Sequence, residues 1–316
     1  MKKVILAITV VVAALGIQAC DDNGGSKAIA LKCADILTDT SKTLRATDDA
    51  LNCSGTAVTL EDGVRLDLNG HTVSCNGNVG SIGILLSGKG ATVENGTVTN
   101  CATGIYAADD GSHTIRNMTA VSNIGDEDVL LNGGIVIDSD NNSIRNVSVT
   151  GNFPVGLVLY GDDNEVKNCD VSDNLHSGLA ILSNSNEVSN CTIDDNNYVN
   201  LGIVSVIENE LTDRGNDNIV KNVTANRNVN HNGMYIGGDS NTITNSTADE
   251  NEVSGIAVGP EGENNSIVDN SAFDNNQSAE SGDDRGGTDL FQTDTENCDN
   301  SWLDNFYGTS NSDCIQ

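Results

Sequence analysis

The sequence predicts an all-β fold, a single-stranded right-handed parallel β-helix, which is a solenoid with Asn ladders. Asparagines return at a fixed interval, in places 22 residues apart, and a period in this range is typical of solenoids. The segments between them alternate apolar and polar side chains, as β-strands do. Each repeat is too short to hold a crossover helix, so strands of consecutive coils are expected to pair in parallel. Parallel β connections are generally right-handed.

Three columns of asparagine define the coil. The first column is expected at corners, because Asn tolerates left-handed backbone angles. Stacked amides in a column can also hydrogen-bond to one another. The first column contains Asn95, Asn117, Asn146, Asn168, Asn190, Asn222, Asn245 and Asn270. The second, six residues later, contains Asn123, Asn152, Asn174, Asn196, Asn228, Asn251 and Asn276. The third, four residues before the first, contains Asn142, Asn164, Asn186, Asn218 and Asn241.

Each coil ends in a glycine-led strand with an apolar residue where a polar one is expected. The residue two after the glycine should point outward, yet it is apolar in coil after coil. This column contains Leu85, Tyr106, Val136, Val158, Ala180, Val204, Tyr235 and Ala257. A continuous exposed apolar stripe is typical of an interaction surface. The alternatives are that loops cover it or that β-branched residues simply favour sheets.

Eight cysteines remain after Cys20, an even number that favours disulfides in an exported chain. Cys169 and Cys191 share a register in adjacent coils, so their Cα atoms should lie about 4.8 Å apart. That spacing is within the disulfide range of about 4.4–6.8 Å. Cys75 and Cys101 also share a register. The predicted pairs are Cys33–Cys53, Cys75–Cys101, Cys169–Cys191 and Cys298–Cys314. The alternative for the third pair is two buried free thiols.

The first 32 residues are typical of export. Residues 1–19 form a signal peptide with an apolar segment, and Ile17-Gln18-Ala19-Cys20 is similar to a bacterial lipobox. We expect lipidation of Cys20, a tether over residues 20–32 and a β-helix over residues 33–316. The protein is then a membrane-anchored lipoprotein, periplasmic or at the cell surface, that contacts the membrane through its lipid alone. The alternative is cleavage after Ala19 without lipidation.

The formal net charge of −31 limits the partners. Nucleic acid is disfavoured, because its phosphates would meet an acidic surface. Free acidic polysaccharides are also repelled unless Ca²⁺ or a local basic patch intervenes. Asp194 and Asp195 are candidate Ca²⁺ ligands, although the sequence contains no complete Ca²⁺-binding loop.

Several segments resemble bacterial right-handed parallel β-helix repeat proteins of the pectate-lyase-like superfamily. They are Leu66-Asp67-Leu68-Asn69-Gly70-His71-Thr72, Val93-Glu94-Asn95-Gly96-Thr97 and Trp302-Leu303-Asp304-Asn305-Phe306-Tyr307-Gly308-Thr309 with Cys314. The likeness covers about residues 33–316. It implies the fold but not one function, since this fold hosts lyases, hydrolases, epimerases, adhesins and sugar-binding scaffolds. The superfamily's enzymes carry carboxylates, Arg or Lys on the outward positions of the glycine-led strand, where this chain has Val and Ala. That difference disfavours pectate lyase and polygalacturonase activity.

The turn before the glycine-led strand gathers aromatic and imidazole side chains. His176, Tyr198 and His231 are the candidate catalytic residues, because His and Tyr can act as a base and acid pair. His176 and His231 should lie two coils, or about 9.6 Å, apart. The alternative is that they are independent turn residues. Insertions at residues 124–133 and 207–217 flank this edge. The predicted binding face contains Tyr106, Val136, Val158, Tyr160, Val204, Tyr235, Phe153 and Arg214.

Two classes of function are consistent with this pattern. The first is a cell-envelope lipoprotein whose β-helix binds an extended partner, a glycan or another envelope component. The second is a polysaccharide lyase or epimerase that acts at the His/Tyr edge. A third class, ice binding, would need an unbroken threonine array. The column of Thr97, Thr119, Thr192, Thr224 and Thr247 is interrupted by Ser148 and Asp170.

Overall fold

The computed structural model describes residues 25–316 except 128, 130, 131, 205, 208, 209, 212–214, 277–286 and 297. This part of the chain contains 29 β-strands and no α-helix. Within it, no helix is long and apolar enough to cross a membrane. Cys20 and the predicted signal peptide lie outside the described residues, so lipidation and export by this signal stay predictions.

The strands follow one another in short segments. The first half contains β1 (Ser26–Ala30), β2 (Asp35–Leu37), β3 (Thr43–Asp48), β4 (Ala50–Cys53), β5 (Thr56–Leu60), β6 (Arg65–Asp67), β7 (Thr72–Cys75), β8 (Ile82–Leu86), β9 (Thr92–Thr99), β10 (Thr103–Ala107), β11 (Thr114–Val121), β12 (Gly133–Ile137), β13 (Ser143–Thr150) and β14 (Val155–Leu159). The second half contains β15 (Glu165–Asp170), β16 (Ser177–Ile181), β17 (Glu187–Thr192), β18 (Leu201–Ile203), β19 (Val206–Ile207), β20 (Glu210–Leu211), β21 (Ile219–Thr224), β22 (Met234–Ile236), β23 (Thr242–Thr244), β24 (Ile256–Val258), β25 (Ser266–Val268), β26 (Ser271–Ala272), β27 (Leu290–Gln292), β28 (Ser301–Leu303) and β29 (Phe306–Tyr307).

Two long parallel sheets run the length of the molecule. The asparagine sheet has 14 strands and stacks in the order β1-β3-β6-β9-β11-β13-β15-β17-β21-β23-β25-β28, with β4 and β7 beside this path. The glycine sheet has 11 strands and contains the predicted glycine-led strands, in the order β2-β5-β8-β10-β12-β14-β16-β18-β22-β24-β27. Each strand pairs with its counterpart one coil away. The antiparallel pair β19 and β20 is a local exception. The predicted parallel β-helix is confirmed.

Side chains alternate between inward and outward directions along each strand, and the inward apolar ones fill the interior of the β-helix. In the asparagine sheet, Ile115, Ile144 and Val166 stack in register and are fully buried. In the glycine sheet, Ile135, Leu157 and Leu179 do the same. The β-helix begins before the predicted boundary at residue 33. Strand β1 lies in the segment expected to be a tether, yet it already pairs with β3.

The first asparagine column forms the corners as predicted. From Asn95 to Asn245 its members have φ between 49° and 60°, the left-handed region that Asn tolerates. Their amides bond along the column, for example Asn117 Nδ2 to Asn95 Oδ1 at 2.9 Å. The prediction is wrong for Asn270. Thr244 pairs with Val268, so Asp269, with φ of 57°, takes the corner. The side chain of Asn270 is instead buried inside the β-helix.

The other two columns form buried ladders. In the third column each backbone N–H donates to the next Asn Oδ1, as in Asn142 to Asn164 at 2.8 Å. The second column is confirmed from Asn123 to Asn196 but differs at its end. Asn275, not Asn276, continues it and accepts the N–H of Asn251 at 2.9 Å. Ladders of this kind satisfy backbone groups that would otherwise be buried without partners.

All four predicted disulfides are present: Cys33–Cys53, Cys75–Cys101, Cys169–Cys191 and Cys298–Cys314. The Cα atoms of Cys169 and Cys191 lie 4.5 Å apart, and those of Cys75 and Cys101 lie 4.8 Å apart. These distances match the rise between coils that the shared registers predicted. Four disulfides are typical of extracellular or periplasmic proteins.

Candidate functional site

The predicted His/Tyr edge is a continuous series of ring contacts, here named the aromatic ladder: Phe153, His176, Tyr198, His231 and Tyr235. The His176 and Tyr198 rings stack with centroids 4.5 Å apart, and Tyr198 and His231 are tilted at 4.4 Å. Phe153 meets the edge of His176 at 6.3 Å, and Tyr235 meets His231 at 6.4 Å. The two histidines are therefore not independent turn residues, because Tyr198 lies between them and contacts both.

Backbone register between coils aligns these rings. The N–H of Tyr198 donates to the carbonyl oxygen of His176 at 2.8 Å, which places equivalent turn residues one above the other. At the other end, Gly259 makes room for Tyr235. A Cβ added at Gly259 would lie 2.2 Å from the phenol oxygen of Tyr235.

His231 is positioned by an exchange within the second asparagine column. The side chain of Asn228 leaves the stack, and its Oδ1 accepts the N–H groups of His231 at 2.5 Å and Asn230 at 3.0 Å. Asn200 takes the vacated place, where its Oδ1 accepts the N–H of Asn196 at 3.1 Å. The sequence pattern missed this exchange, because Asn228 keeps the spacing of its column while its side chain has another role.

The ladder is partly open to solvent. Tyr198 is 38% exposed, whereas His231 is 7% exposed. Leu175 and Val229, in the same turns, are 52% and 53% exposed. The sequence analysis did not select these two. The available signal was an apolar residue beside the aromatic positions in a turn, where polar residues are expected.

Acidic groups lie near both ends of the ladder. A surface depression of about 370 Å³ is lined by Val79, Ile124, Gly125, Asp126, Glu127 and Phe153. Burial lowers the pKa of His176, and the charge of Glu127 opposes this shift. Burial also raises the pKa of Tyr235, with a further contribution from Glu261. His176 is therefore a neutral imidazole at neutral pH, and its Nδ1 lies 3.1 Å from the hydroxyl of Ser177.

The lowered pKa of His176 predicts a specific titration. We expect the ring protons of His176 to titrate in NMR with a midpoint below 6.5, the ordinary histidine value. Between that midpoint and 6.5 the unfolded chain binds more protons, so His176 makes the free energy of unfolding fall as the pH decreases. The Tyr198→Ala variant should move the midpoint upward, because it uncovers the imidazole. A wild-type midpoint above 6.5 would contradict the burial.

The apolar stripe on the glycine sheet is not the open surface that the sequence predicted. Val136 and Val158 point outward but are 0% and 1% exposed. They form a second apolar cluster with Val155, against which Tyr106, Tyr160, Ala180 and Leu182 pack. The Tyr106 hydroxyl donates to Asp138 Oδ2 at 2.8 Å, and burial raises the pKa of Tyr160 to about 12. The valines are therefore removed from the candidate binding face, while Tyr106 and Tyr160 cover them.

Two further residues of the predicted binding face are not confirmed: Val204 has a different position, and Arg214 lies outside the described residues. Val204 is not in the outward column. Ala180 pairs with Gly202, and Gly202 pairs with Tyr235, so Gly202 holds that position. Val204 follows the strand instead. The irregular turn before β18 moves the register by two residues. Arg214 lies outside the described residues, as do Asp128 and part of the 207–217 insertion.

The suggested Ca²⁺ ligands have another partner. Arg227 binds Asp194 Oδ2 at 2.9 Å and Asp195 Oδ2 at 2.8 Å. This ion pairing occupies both carboxylates and raises the pKa of Arg227. In the described part of the chain, no cluster of three or more His, Cys, Asp or Glu residues is arranged to hold a metal ion.

Comparison with known structures shows the same architecture in several proteins. The Dettilon tailspike protein gp208 aligns with a TM-score of 0.61 at 14% identity over 89% of this chain and 61% of that one. This chain thus spans less than two thirds of the tailspike. The A-module of the Azotobacter vinelandii mannuronan C-5 epimerase AlgE4 aligns with a TM-score of 0.58 at 15% identity, over 91% of this chain and 89% of that one. The periplasmic alginate epimerase AlgG gives 0.57 at 10% identity, over 93% and 80%.

These identities establish shared fold rather than shared activity. A search of curated proteins found no match. Residues 133–299, more than half of the chain, match the family described as "Right handed beta helix region". The parallel coils, the asparagine ladders and this match agree. The chain belongs to the right-handed β-helix family.

Proposed function

We propose that this protein is an exported glycan-binding protein of the cell envelope that holds an extended sugar chain along the aromatic ladder. The observation that carries the proposal is the continuous series of ring contacts from Phe153 to Tyr235, with Tyr198 partly exposed at its centre. The faces of the Tyr198 ring contact His176 and His231, so its exposed edge, together with the apolar side chains beside it, is the surface against which a sugar ring can pack. Leu175 and Val229 widen this apolar strip.

The local charge favours a neutral glycan. The charged groups that act on the ladder are carboxylates, Glu127 on His176 and Glu261 on Tyr235. A uronate chain would bring its own carboxylates against them, and like charges in close contact are unfavourable. Neutral sugars avoid this repulsion and can still pack against the exposed ring edge of Tyr198.

A second candidate is a polysaccharide lyase or epimerase. The observation in its favour is His176, a neutral imidazole in contact with the Tyr198 ring, which could accept a proton from a sugar carbon. Two of the similar structures bear the names of mannuronan and alginate epimerases, which makes product analysis a necessary part of the test. The carboxylates around the ladder disfavour a uronate substrate.

The proposal is tested by measuring binding of neutral and uronate oligosaccharides of increasing length, with and without Ca²⁺, and by analysing the products. From Phe153 to His231 the ladder spans three coil steps, about 14 Å. We therefore expect neutral oligosaccharides to bind more tightly with length until they cover this span, with no change in the sugar. Equal affinity for monosaccharides and long chains would contradict the proposal. Conversion of a uronate chain would establish the enzymatic alternative.

A further inference from the structure

A column of basic side chains crosses the outer face of the asparagine sheet in this acidic protein. Arg116 pairs with Arg145, and Arg145 pairs with Lys167, in three consecutive coils. Ser189 follows, and Lys221 comes next. Their neighbours Ile115, Ile144 and Val166 are fully buried, so the basic residues point outward. We name Arg116, Arg145, Lys167 and Lys221 the basic row. It spans four coil steps, about 19 Å along the axis.

The basic row places like charges of neighbouring coils directly opposite one another. Like charges directly opposite one another on neighbouring strands destabilise a sheet. Carboxylates pair with three of the four cations. Glu94 pairs with Arg116, Glu165 pairs with Lys167, and Glu187 lies 2.8 Å from Lys221. Arg145 lies between Arg116 and Lys167, and its guanidinium forms no ion pair or hydrogen bond with any described residue.

Two hydroxyl groups beside these cations also lack partners. Ser189 occupies the row between Lys167 and Lys221, and Ser143 lies two residues before Arg145 on the same outward face. The Oγ atoms of both are buried and form no hydrogen bond among the described residues. Unsatisfied buried polar groups are uncommon in native structures.

We propose that the basic row is a second binding site, which takes a single anionic polysaccharide chain bearing carboxylate or sulfate groups. The planar guanidinium of Arg145 can pair with either group through two parallel hydrogen bonds. The site lies on the asparagine sheet, whereas the aromatic ladder precedes the glycine sheet. It is therefore independent of the neutral-glycan proposal, and it supplies the local basic patch that an acidic polymer would need on a chain with a net charge of −31.

The shape of the row favours a thin polymer over a membrane or a duplex nucleic acid. The cations stand in single file, with Glu94, Glu165 and Glu187 among them. A broad anionic surface would press its charges against these carboxylates and the acidic remainder of the molecule. A single chain can lie beside Arg145, which no described carboxylate pairs with, and so avoids most of this repulsion.

Binding of dextran sulfate and polygalacturonate, with uncharged dextran as the reference, tests the proposal at low salt in the presence of a chelator. We expect wild-type protein to bind the anionic polymers and to lose them at about 0.5 M salt, where screening is strong. The Arg145→Gln variant should bind about threefold more weakly and Arg145→Glu about tenfold more weakly, since each exposed ion pair contributes little and a carboxylate adds repulsion.

The control is Lys89→Gln, which removes one positive charge from an exposed residue outside the row. It should change affinity by less than about twofold. Tyr198→Ala should leave polyanion binding unchanged, which separates this site from the aromatic ladder. Equal effects of the Arg145 and Lys89 substitutions, or no polyanion binding at low salt, would refute the site. Arg145-dependent binding to anionic lipid vesicles in place of the polymers would also overturn it.

Discussion

Replacing Asn174 by Ala is expected to lower the free energy of unfolding by about 3–5 kcal/mol. Asn174 is a buried member of the second asparagine column. Its Oδ1 accepts the backbone N–H and the Nδ2 of Asn152, at 3.0 and 3.1 Å. Its Nδ2 donates to Val149 O and to Asn196 Oδ1, both at 3.0 Å. Alanine removes the partner of the Asn152 N–H and a donor to Val149 O, whereas Asn152 Nδ2 keeps Ala120 O and Asn196 Oδ1 keeps the N–H of residue 174. Each unsatisfied buried group costs about 1–3 kcal/mol.

The matched control is Asn168→Gly in the exposed corner column. Asn168 has φ of 54°, which glycine adopts without strain, and its one amide contact, with Asn146, is 3.3 Å long. We expect a loss of less than about 1 kcal/mol. Denaturant unfolding of both variants measures the difference, provided the slope with denaturant stays constant. Equal losses at the two positions would show that the buried amide network does not stabilise the coils as described.

The solenoid was predictable because its stabilising interactions repeat. An asparagine at a fixed interval identifies both the corner and the column, and a cysteine pair in one register identifies a disulfide. The prediction of the register failed where the length of the coil changes. Asn270 and Asn276 follow the spacing in sequence, yet Asp269 and Asn275 hold the structural positions. Spacing counts residues, whereas hydrogen bonding between neighbouring coils decides which residue stacks.

The direction of a side chain was easier to predict than its exposure. Val136 and Val158 point outward, as alternation requires, but neighbouring rings cover them. The cover comes from Tyr106 and Tyr160, and a hydrogen bond to Asp138 holds one of these rings. Alternation along one strand contains no information about such contacts between coils.

The candidate site was partly predictable for the same reason. A shared turn position was enough to group His176, Tyr198 and His231. It could not show that the rings touch, because ring contact depends on side-chain rotamers. The spacing also concealed the role of Asn228, which holds the backbone of His231 and requires Asn200 to complete the ladder.

Replacing Tyr198 by Ala is expected to weaken binding of a neutral oligosaccharide by about 1–3 kcal/mol, the loss typical of an aromatic anchor. The ring is the exposed centre of the ladder and contacts both histidines. Tyr198→Phe should retain most of the affinity, because the apolar contact with the sugar comes from the ring rather than the hydroxyl. Titration calorimetry with an oligosaccharide long enough to cover the ladder measures these differences.

Phe306→Ala is the control, since Phe306 is an aromatic residue that is 67% exposed and lies far along the chain from the ladder. It should leave affinity unchanged. Substitutions of the two histidines distinguish a binding protein from an enzyme. In a binding protein, His176→Ala and His231→Ala should alter affinity little. In an enzyme, either substitution should abolish turnover and leave binding largely intact, because proton transfer needs the imidazole whereas sugar binding rests mainly on Tyr198. If Tyr198→Ala, His176→Ala and His231→Ala all bind and turn over every glycan as the wild type does, the functional surface lies on another face of the solenoid.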